Sequence, residues 1–480
     1  MSWTTIDRAC GTPLFRQIYE TFRRRILQGE LQSGEKLPST RELASSLQVS
    51  RTVIVEAYEQ LLAEGYIEGR HGSGTYVAEG AYLQTVGAAP EGPVPGLALS
   101  SPLPGRPDLI DFRHGLPALD LFPRKLWGEL AKRTCSRTAP EAFGYGRPEG
   151  RSELRQTLCH YLRRSRGVLC EPDQLIVTTG ATQAISLIAR MLLTGQSDVL
   201  LEDPLTHEIH TMFALPGTAL HAVPVDGQGM MTHLLPTGLR PKLIYVTPSH
   251  QFPLGGVLPI QRRVQLMEYA ARTGSYIVED DYDSEFRYDS APVSSLQGLD
   301  PDRVVYIGTF SKILSPALRL GYLILPSSLV ENARQHKWLT DLHTPSLEQL
   351  VLAEFIEEGH LERHVSRMKK IYRKRRDFLI HCLTRSFGDK VTVAGYSTGI
   401  HLIAEFAGIS FTPELLSHIE NKGVRVYPAA FHAYRKEEHR HRLILGYGNL
   451  AEEQVEEGIR RLHAVLNNYW PHKQENDKFC

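Results

Sequence analysis

The sequence predicts a two-part chain. A small, mostly helical N-terminal domain ending in a two-stranded hairpin is followed, across a linker, by a large α/β domain with a mostly parallel central sheet. Three observations predict it. The 480 residues exceed what one ordinary hydrophobic core organises. Residues 80–107 carry Gly80, Gly87, Pro90, Gly92, Pro93, Pro95, Gly96, Pro102, Pro104, Gly105 and Pro107, a composition that holds neither a helix nor a central strand. This linker separates a domain over 1–79 from one over 108–480. Beyond it, short apolar runs alternate with amphipathic helical stretches: Leu175-Ile176-Val177, Val199-Leu200-Leu201, Leu243-Ile244-Tyr245-Val246, Tyr276-Ile277-Val278 and Val304-Val305-Tyr306-Ile307. Strands that are apolar throughout are buried on both faces, as in a parallel sheet covered by helices.

Composition narrows the class. Apolar residues make up 42% and charged residues 22%, and no run of about 18 apolar residues is present to span a bilayer. The first residues, Met1-Ser2-Trp3-Thr4-Thr5-Ile6-Asp7-Arg8, lack a basic segment leading into an apolar stretch, so a soluble protein of the cytoplasm without a membrane partner is expected. Cys10, Cys135, Cys159, Cys170, Cys382 and Cys480 form no C-x-x-C pair, which argues for reduced thiols and against a disulfide framework or a bound metal. Net charge is zero, and residues 1–80 hold nine Lys/Arg against ten Asp/Glu, 9 − 10 = −1. A nucleic-acid-binding role there must rest on pattern and local charge, not on a global basic excess.

The pattern is present. Ser39 and Glu42, three apart, form a capping box that starts a helix through Leu43-Ala44. Ser50 starts a second one after a short turn at Leu47-Gln48, and Gly65 ends it. Two helices joined by a tight turn are a helix-turn-helix, and the first turn of the second helix offers Ser50, Arg51 and Thr52 to a phosphate or base edge. Tyr66 to Val77 then reads as two short strands around a glycine-rich tip, a wing whose Arg70 and His71 would reach a minor groove. Arg23-Arg24-Arg25 is a solvated helix face or a phosphate contact.

Leu37-Pro38-Ser39, Arg41, Leu43-Ala44, Val49-Ser50-Arg51, Ala57-Tyr58, Leu61, Glu64-Gly65 and Gly72-Ser73-Gly74-Thr75 together resemble the GntR family of winged-helix regulators over residues 13–78. The resemblance implies that Arg41, Ser50, Arg51, Thr52, His71 and Gly72 touch double-stranded operator DNA.

In the large domain, Lys312 lies in Gly308-Thr309-Phe310-Ser311-Lys312, with Arg319 seven residues on. A lysine amine forms a Schiff base with an aldehyde cofactor, and hydroxyls with an arginine fork suit a phosphate. Glu279-Asp280-Asp281-Tyr282 follows an apolar strand, where open α/β sheets bind ligands. Thr178-Thr179-Gly180-Ala181-Thr182 follows another strand and opens a helix whose amides and dipole suit a phosphate. Thr247-Pro248-Ser249-His250-Gln251-Phe252-Pro253-Leu254-Gly255 follows a third.

In this order the segments resemble fold-type-I pyridoxal-phosphate enzymes of the aspartate-aminotransferase class, and the fusion resembles the MocR subfamily of GntR-type regulators. The resemblance implies pyridoxal 5'-phosphate bound covalently to Lys312, with Asp280 on the pyridine nitrogen and Tyr282 on the phenolic oxygen. It implies phosphate contacts from Gly180, Ala181, Thr182, Thr309, Ser311 and Arg319. Tyr145 would reach the cofactor of a partner subunit, which implies a homodimer, and Arg442 would fork onto an effector carboxylate; a structural salt bridge is the alternative for Arg442. Two positions depart from the enzymes. Phe252 stands where they carry an Asn against the phenolic oxygen, and Leu205-Thr206-His207 where an aromatic ring stacks on the cofactor. His207 either replaces that ring or is an exposed loop residue. Glu208 either meets a cationic end of an effector or is a solvated carboxylate. The expectation is a transcription regulator sensing an amino compound through a lysine-bound pyridoxal phosphate. The rivals are an active aminotransferase with a secondary DNA-binding domain, and a DNA-binding module whose large domain only dimerises.

Overall fold

A computed structural model of the chain describes residues 3, 6–8, 10–81, 108–289, 291 and 293–470. The chain divides into two compact units, residues 1–102 and 103–480. Most of the linker expected at 80–107, residues 82–107, lies outside the described residues, as does Cys480.

The N-terminal unit contains α1 (Leu14–Leu27), α2 (Thr40–Leu47) and α3 (Arg51–Ala63), followed by the antiparallel hairpin of β1 (Ile67–Arg70) and β2 (Gly74–Val77). Its core comes from one face of each helix, with Ile18, Phe22 and Ile26 of α1 against Leu43 of α2 and Ile54, Ala57 and Leu61 of α3, the spacing a 3.6-residue period demands. The capping box is complete: the Ser39 hydroxyl accepts from the Glu42 amide at 3.2 Å, and the Glu42 carboxylate accepts from the Ser39 amide at 3.2 Å. Gln48 ends α2 in the left-handed conformation (φ 51°), which turns the chain sharply into α3. Ser50 holds the N-cap position of α3 but makes no capping bond with its side chain, so its hydroxyl stays exposed.

The large unit follows as β3 (Ile110–Asp111), α4 (Arg124–Arg137), α5 (Ser152–Arg166), β4 (Leu175–Thr178), α6 (Ala181–Leu192), β5 (Ser197–Asp203), α7 (His207–Phe213), β6 (Thr218–Asp226), β7 (Gly229–Met230), β8 (Leu243–Val246), α8 (Ile260–Thr273), β9 (Tyr276–Asp281), β10 (Val304–Thr309) and β11 (Gly321–Ile324). Helices α9 (Val330–Asp341), α10 (Ser346–Glu357) and the 28-residue α11 (His360–Phe387) lead to a second lobe of β12 (Val391–Ala394), β13 (His401–Phe406), α12 (Pro413–Asn421), β14 (Val424–Arg425), β15 (Tyr427–Pro428), α13 (Lys436–His439), β16 (Arg442–Gly446) and α14 (Glu452–Leu466).

The main sheet has the order β4-β11-β10-β9-β8-β5-β6-β7. Pairings from β10 through β9, β8 and β5 to β6 are parallel, whereas β11 runs antiparallel to both its neighbours and β7 antiparallel to β6. The five apolar runs predicted as strands are β4, β5, β8, β9 and β10. Their side chains alternate between two cores: Val305 and Ile307 of β10 pack with Ile185 and Ile188 of α6, and Val304 with Leu266 and Tyr269 of α8. Both faces are covered, which explains strands with no polar alternation. The second sheet, β12-β13-β16-β15, is antiparallel and packs on Tyr372, Leu379 and Leu383 of α11. Cys159 and Cys170 meet in the core as free thiols, sulfur to sulfur 3.3 Å. Among the described residues no helix is long and apolar enough to cross a membrane.

Candidate cofactor cavity and DNA-contact surface

Parallel strands deliver their following loops to one sheet edge, and there a cavity of about 520 Å³ opens. Its lining includes Lys312, Asp280, Tyr282, Thr309, Ser311, Arg319, Ala181 and Thr182, eight residues from four sequence segments. Thr309 ends β10 and its hydroxyl bonds Ser311 at 3.1 Å, which shapes the turn carrying Lys312. Gly180 precedes α6 with φ 116°, and a Cβ there would stand 3.2 Å from an Arg319 terminal nitrogen. A glycine therefore lets the Arg319 guanidinium come up to the start of α6. Arg319 has no carboxylate partner among the described residues, and a guanidinium beside open helix amides fits an anion of phosphate size.

Asp280 is carried by β9 to the cavity and is buried. The Tyr245 hydroxyl donates to its Oδ2, while its Oδ1 is buried without a hydrogen-bond partner. An orphaned acceptor in such a place suits a pyridinium N–H. Burial pushes the Asp280 carboxyl up to about 6, against a hydrogen bond from Tyr245 that lowers it. Burial also lowers the Lys312 amine from its ordinary value, opposed by Asp283 and Asp280, which favours the neutral, nucleophilic amine. Its Nζ lies 2.7 Å from where a Cβ on Gly115 would stand. Tyr282 donates to the His250 carbonyl at 2.8 Å, and its hydroxyl is 3.1 Å from His250 Nδ1. His250 is in turn bonded to Asp283 at 2.8 Å. His250, Asp283 and His401 bring ligand-type atoms within 4.8 Å of one another, a grouping that the sequence spacing did not suggest.

Two expected effector residues depart from the cavity. Arg442 begins β16 and is occupied: Nε donates to Glu405 at 2.9 Å, and a terminal nitrogen is 3.1 Å from His439 Nδ1. Glu405 lies directly opposite Arg442 in the β13–β16 ladder, so cross-strand register selects the salt-bridge alternative. His207 is also outside the lining. Its ring packs on Phe431 at 5.2 Å, and its neighbours Thr206 and Glu208 face the cavity. Two imidazoles line the space, His401 and His114; the His114 ring is 5.0 Å from the Phe252 ring and is pushed down to about 3 by burial and by His432, Lys312 and Arg113. Tyr145 is 85% exposed and outside the lining, with its ring 6.3 Å from His343.

Sequence reasoning missed Tyr245, Arg113 and His114. Tyr245 pairs with Val278, two residues before Asp280 on β9, so alternation puts the phenol and the carboxylate on one face. The phenol in an otherwise aliphatic strand was the available signal.

In the N-terminal unit Arg41, Ser50, Arg51, Thr52, His71 and Gly72 are all exposed. Arg51 opens α3, and its Nε donates to Thr40 at 3.3 Å, holding it beside the start of α2. His71 and Gly72 form the tip between β1 and β2, Gly72 with φ 75°. Arg70 is committed elsewhere, paired with Glu68 at 2.8 Å and lying 4.5 Å over the Tyr76 ring. Of the basic triplet, Arg23 bonds Tyr66 and Arg25 pairs with Glu30.

Residues 14–77 match the family described as bacterial regulatory proteins, gntR family, and residues 108–462 match aminotransferase class I and II. Over 96% of this chain and 95% of its own length, the probable rhizopine catabolism regulatory protein MocR of Rhizobium meliloti is 34% identical. The chain belongs to the MocR subfamily of GntR-type regulators. Another relative, the uncharacterized HTH-type transcriptional regulator YhdI of Bacillus subtilis, is 35% identical over 96% of this chain and 97% of its own. Among solved structures, the MocR-type chain is similar to the kynurenine aminotransferase of Pyrococcus horikoshii in complex with PMP. The TM-score is 0.70, the identity 27%, and coverage 75% of this chain and 91% of that one. The MocR and YhdI relatives each match over 96% of this chain, whereas the Pyrococcus horikoshii enzyme structure covers 75% of it.

Proposed function

We propose that this MocR-type regulator binds operator DNA as a cytoplasmic homodimer and senses an amino compound through pyridoxal 5'-phosphate held on Lys312. One observation carries the reading. A buried carboxylate with a free acceptor, a half-buried lysine and an unpaired arginine at a helix start line a single cavity, in a chain that also carries a winged helix-turn-helix. The assignment of residues 1–79 to DNA and 108–480 to cofactor and effector follows from it.

Asp280 would face the pyridine nitrogen and Tyr282 the phenolic oxygen. Gly180, Ala181, Thr182, Thr309, Ser311 and Arg319 would hold the phosphate, and Tyr145, exposed on its own chain, would complete the partner subunit's site. When bound, the cofactor supplies an aldehyde carbon that captures a primary amine. On the DNA side, Arg41 and Arg51 present forks for phosphate or guanine, with Ser50, Thr52, His71 and Gly72 around them. An amine that binds two domain arrangements unequally shifts their populations and thereby DNA affinity.

The test is spectroscopic. Purified protein is expected to show the visible absorption of a lysine-bound pyridoxal group, and Lys312→Ala to lose cofactor through borohydride reduction and denaturation. Covalent retention by Lys312→Ala would remove Lys312 from the role. The complete Lys312, Asp280 and Tyr282 set favours a second reading, residual amino-group transfer, which turnover with amino and keto acids distinguishes from binding alone.

A further inference from the structure

Five charged side chains line the cavity: Lys312, Asp280, Arg319, Arg113 and Glu208. The function proposed above commits the first three to the aldehyde, the pyridine nitrogen and the phosphate. One cation and one anion remain. Neither Arg113 nor Glu208 has an ion-pair or hydrogen-bond partner among the described residues, and they are not paired with each other.

The backbone fixes where Arg113 stands. Phe112 is anchored on both sides, donating to the Arg425 carbonyl and accepting from the Gly446 amide at 2.9 Å. A Cβ on Gly446 would strike the Arg113 carbonyl at 2.2 Å. Two residues later Gly115, at φ 70°, passes against Lys312 Nζ. The segment 113–115 is therefore pinned between the end of β16 and the amine. Arg442 begins the same strand four residues before Gly446, about 13 Å along it at 3.3 Å per residue, with its guanidinium taken by Glu405 and His439.

We infer that Arg113, and not Arg442, receives the effector's carboxylate, and that Glu208 receives a second, distal cationic group, so that the effector class is the diamino carboxylates. The inference rests on the cofactor reading above, because the ligand's α-amine is the group directed to the aldehyde. An unpaired guanidinium and an unpaired carboxylate in one cavity complement a ligand that brings one charge of each sign. A monoamino acid would leave Glu208 facing no counter-charge.

The experiment titrates the cofactor-loaded full-length protein with lysine, ornithine and 2,4-diaminobutyrate. The controls are norleucine, which lacks the distal amine, and 1,5-diaminopentane, which lacks the carboxylate. The readouts are the visible band and the heat of binding. At least one diamino acid is expected to bind about tenfold or more tighter than norleucine, the equivalent of one charge-assisted hydrogen bond. Glu208→Gln is expected to erase that preference while leaving norleucine unchanged. Arg113→Gln is expected to weaken the diamino acid about tenfold or more and to leave 1,5-diaminopentane unaffected, with Arg113→Lys recovering part of the loss. Arg442→Gln is expected to change affinity by less than about threefold. Norleucine binding as tightly as every diamino acid, or Arg113→Gln binding like the parent while the band is intact, would overturn the inference. Absence of the band before any ligand is added would instead overturn the cofactor reading and this inference with it.

Discussion

Tyr245 donates its phenolic hydrogen to Asp280 Oδ2, and Oδ1 of the same carboxylate is buried with nothing bonded to it. One half of the group is thus positioned by a neighbouring strand, and the other half is left without a hydrogen-bond partner among the described residues. The carboxyl is pushed up to about 6 from an ordinary value of 3.8, chiefly by burial.

A pH dependence of the cofactor-free protein follows. The folded value lies above the unfolded one, so the folded state holds an extra proton between about pH 4 and 6, and stability falls as pH rises through that window. The ionised, unmatched carboxylate costs on the order of 3 kcal/mol at pH 7.5, from about 2 units at 1.36 kcal/mol each. Asp280→Asn is expected to stabilise the cofactor-free protein by about 1–3 kcal/mol at pH 7.5 and by almost nothing at pH 4. Denaturant unfolding at the two pH values measures both, and an equal effect at each would show that ionisation is not the cause.

Gly180 tests the phosphate cradle. Its φ of 116° and ψ of 173° lie in a region nearly exclusive to glycine, where other residues cost about 1–3 kcal/mol, and a Cβ would press on Arg319. Gly180→Ala is expected to weaken pyridoxal phosphate about tenfold or more, while pyridoxal, which lacks the phosphate, binds as before. Equal loss for both compounds would place the damage outside the phosphate contact.

How much of this was legible in the sequence depends on whether an interaction is local. The capping box of Ser39 and Glu42, the glycine before α6 and the five apolar strands are set by neighbours within a few residues, and each was readable from spacing. The fate of Arg442 was not, because it turns on register: Glu405 stands opposite only once β13 and β16 are paired. The same holds for Tyr245 and Asp280 across β8 and β9. The same is true of His207, exposed at the start of α7, whose ring meets Phe431 from a distant part of the chain while Thr206 and Glu208 line the cavity.

Phe22 probes the independence of the two units. It is fully buried between α1 and α3, with its ring edge-on to Tyr58 at 5.9 Å. Phe22→Ala is expected to destabilise the N-terminal unit by about 3–5 kcal/mol, abolishing operator binding while the visible cofactor absorption persists. Loss of both signals together would show that the units do not fold separately.

Arg51 and Arg41 divide base reading from charge in the DNA contact. Arg51 is at the first turn of α3, steadied by Thr40, a position from which a guanidinium forks onto guanine O6 and N7. Arg41 is in the first turn of α2, is exposed, and has no partner among the described residues, which suits a phosphate. With a balance of −1 over residues 1–80, few other cations compensate for either loss. Arg51→Ala is expected to cost about 1–3 kcal/mol on operator and to narrow the gap between operator and scrambled duplex. Arg41→Ala is expected to weaken both duplexes alike and to flatten the dependence of log affinity on log salt by about one unit. Titrations of labelled operator and scrambled DNA at several salt concentrations distinguish the two patterns. Unchanged binding by both variants would exclude this helix pair as the contact surface, because no other pair of exposed guanidinium groups is offered by the first turns of α2 and α3.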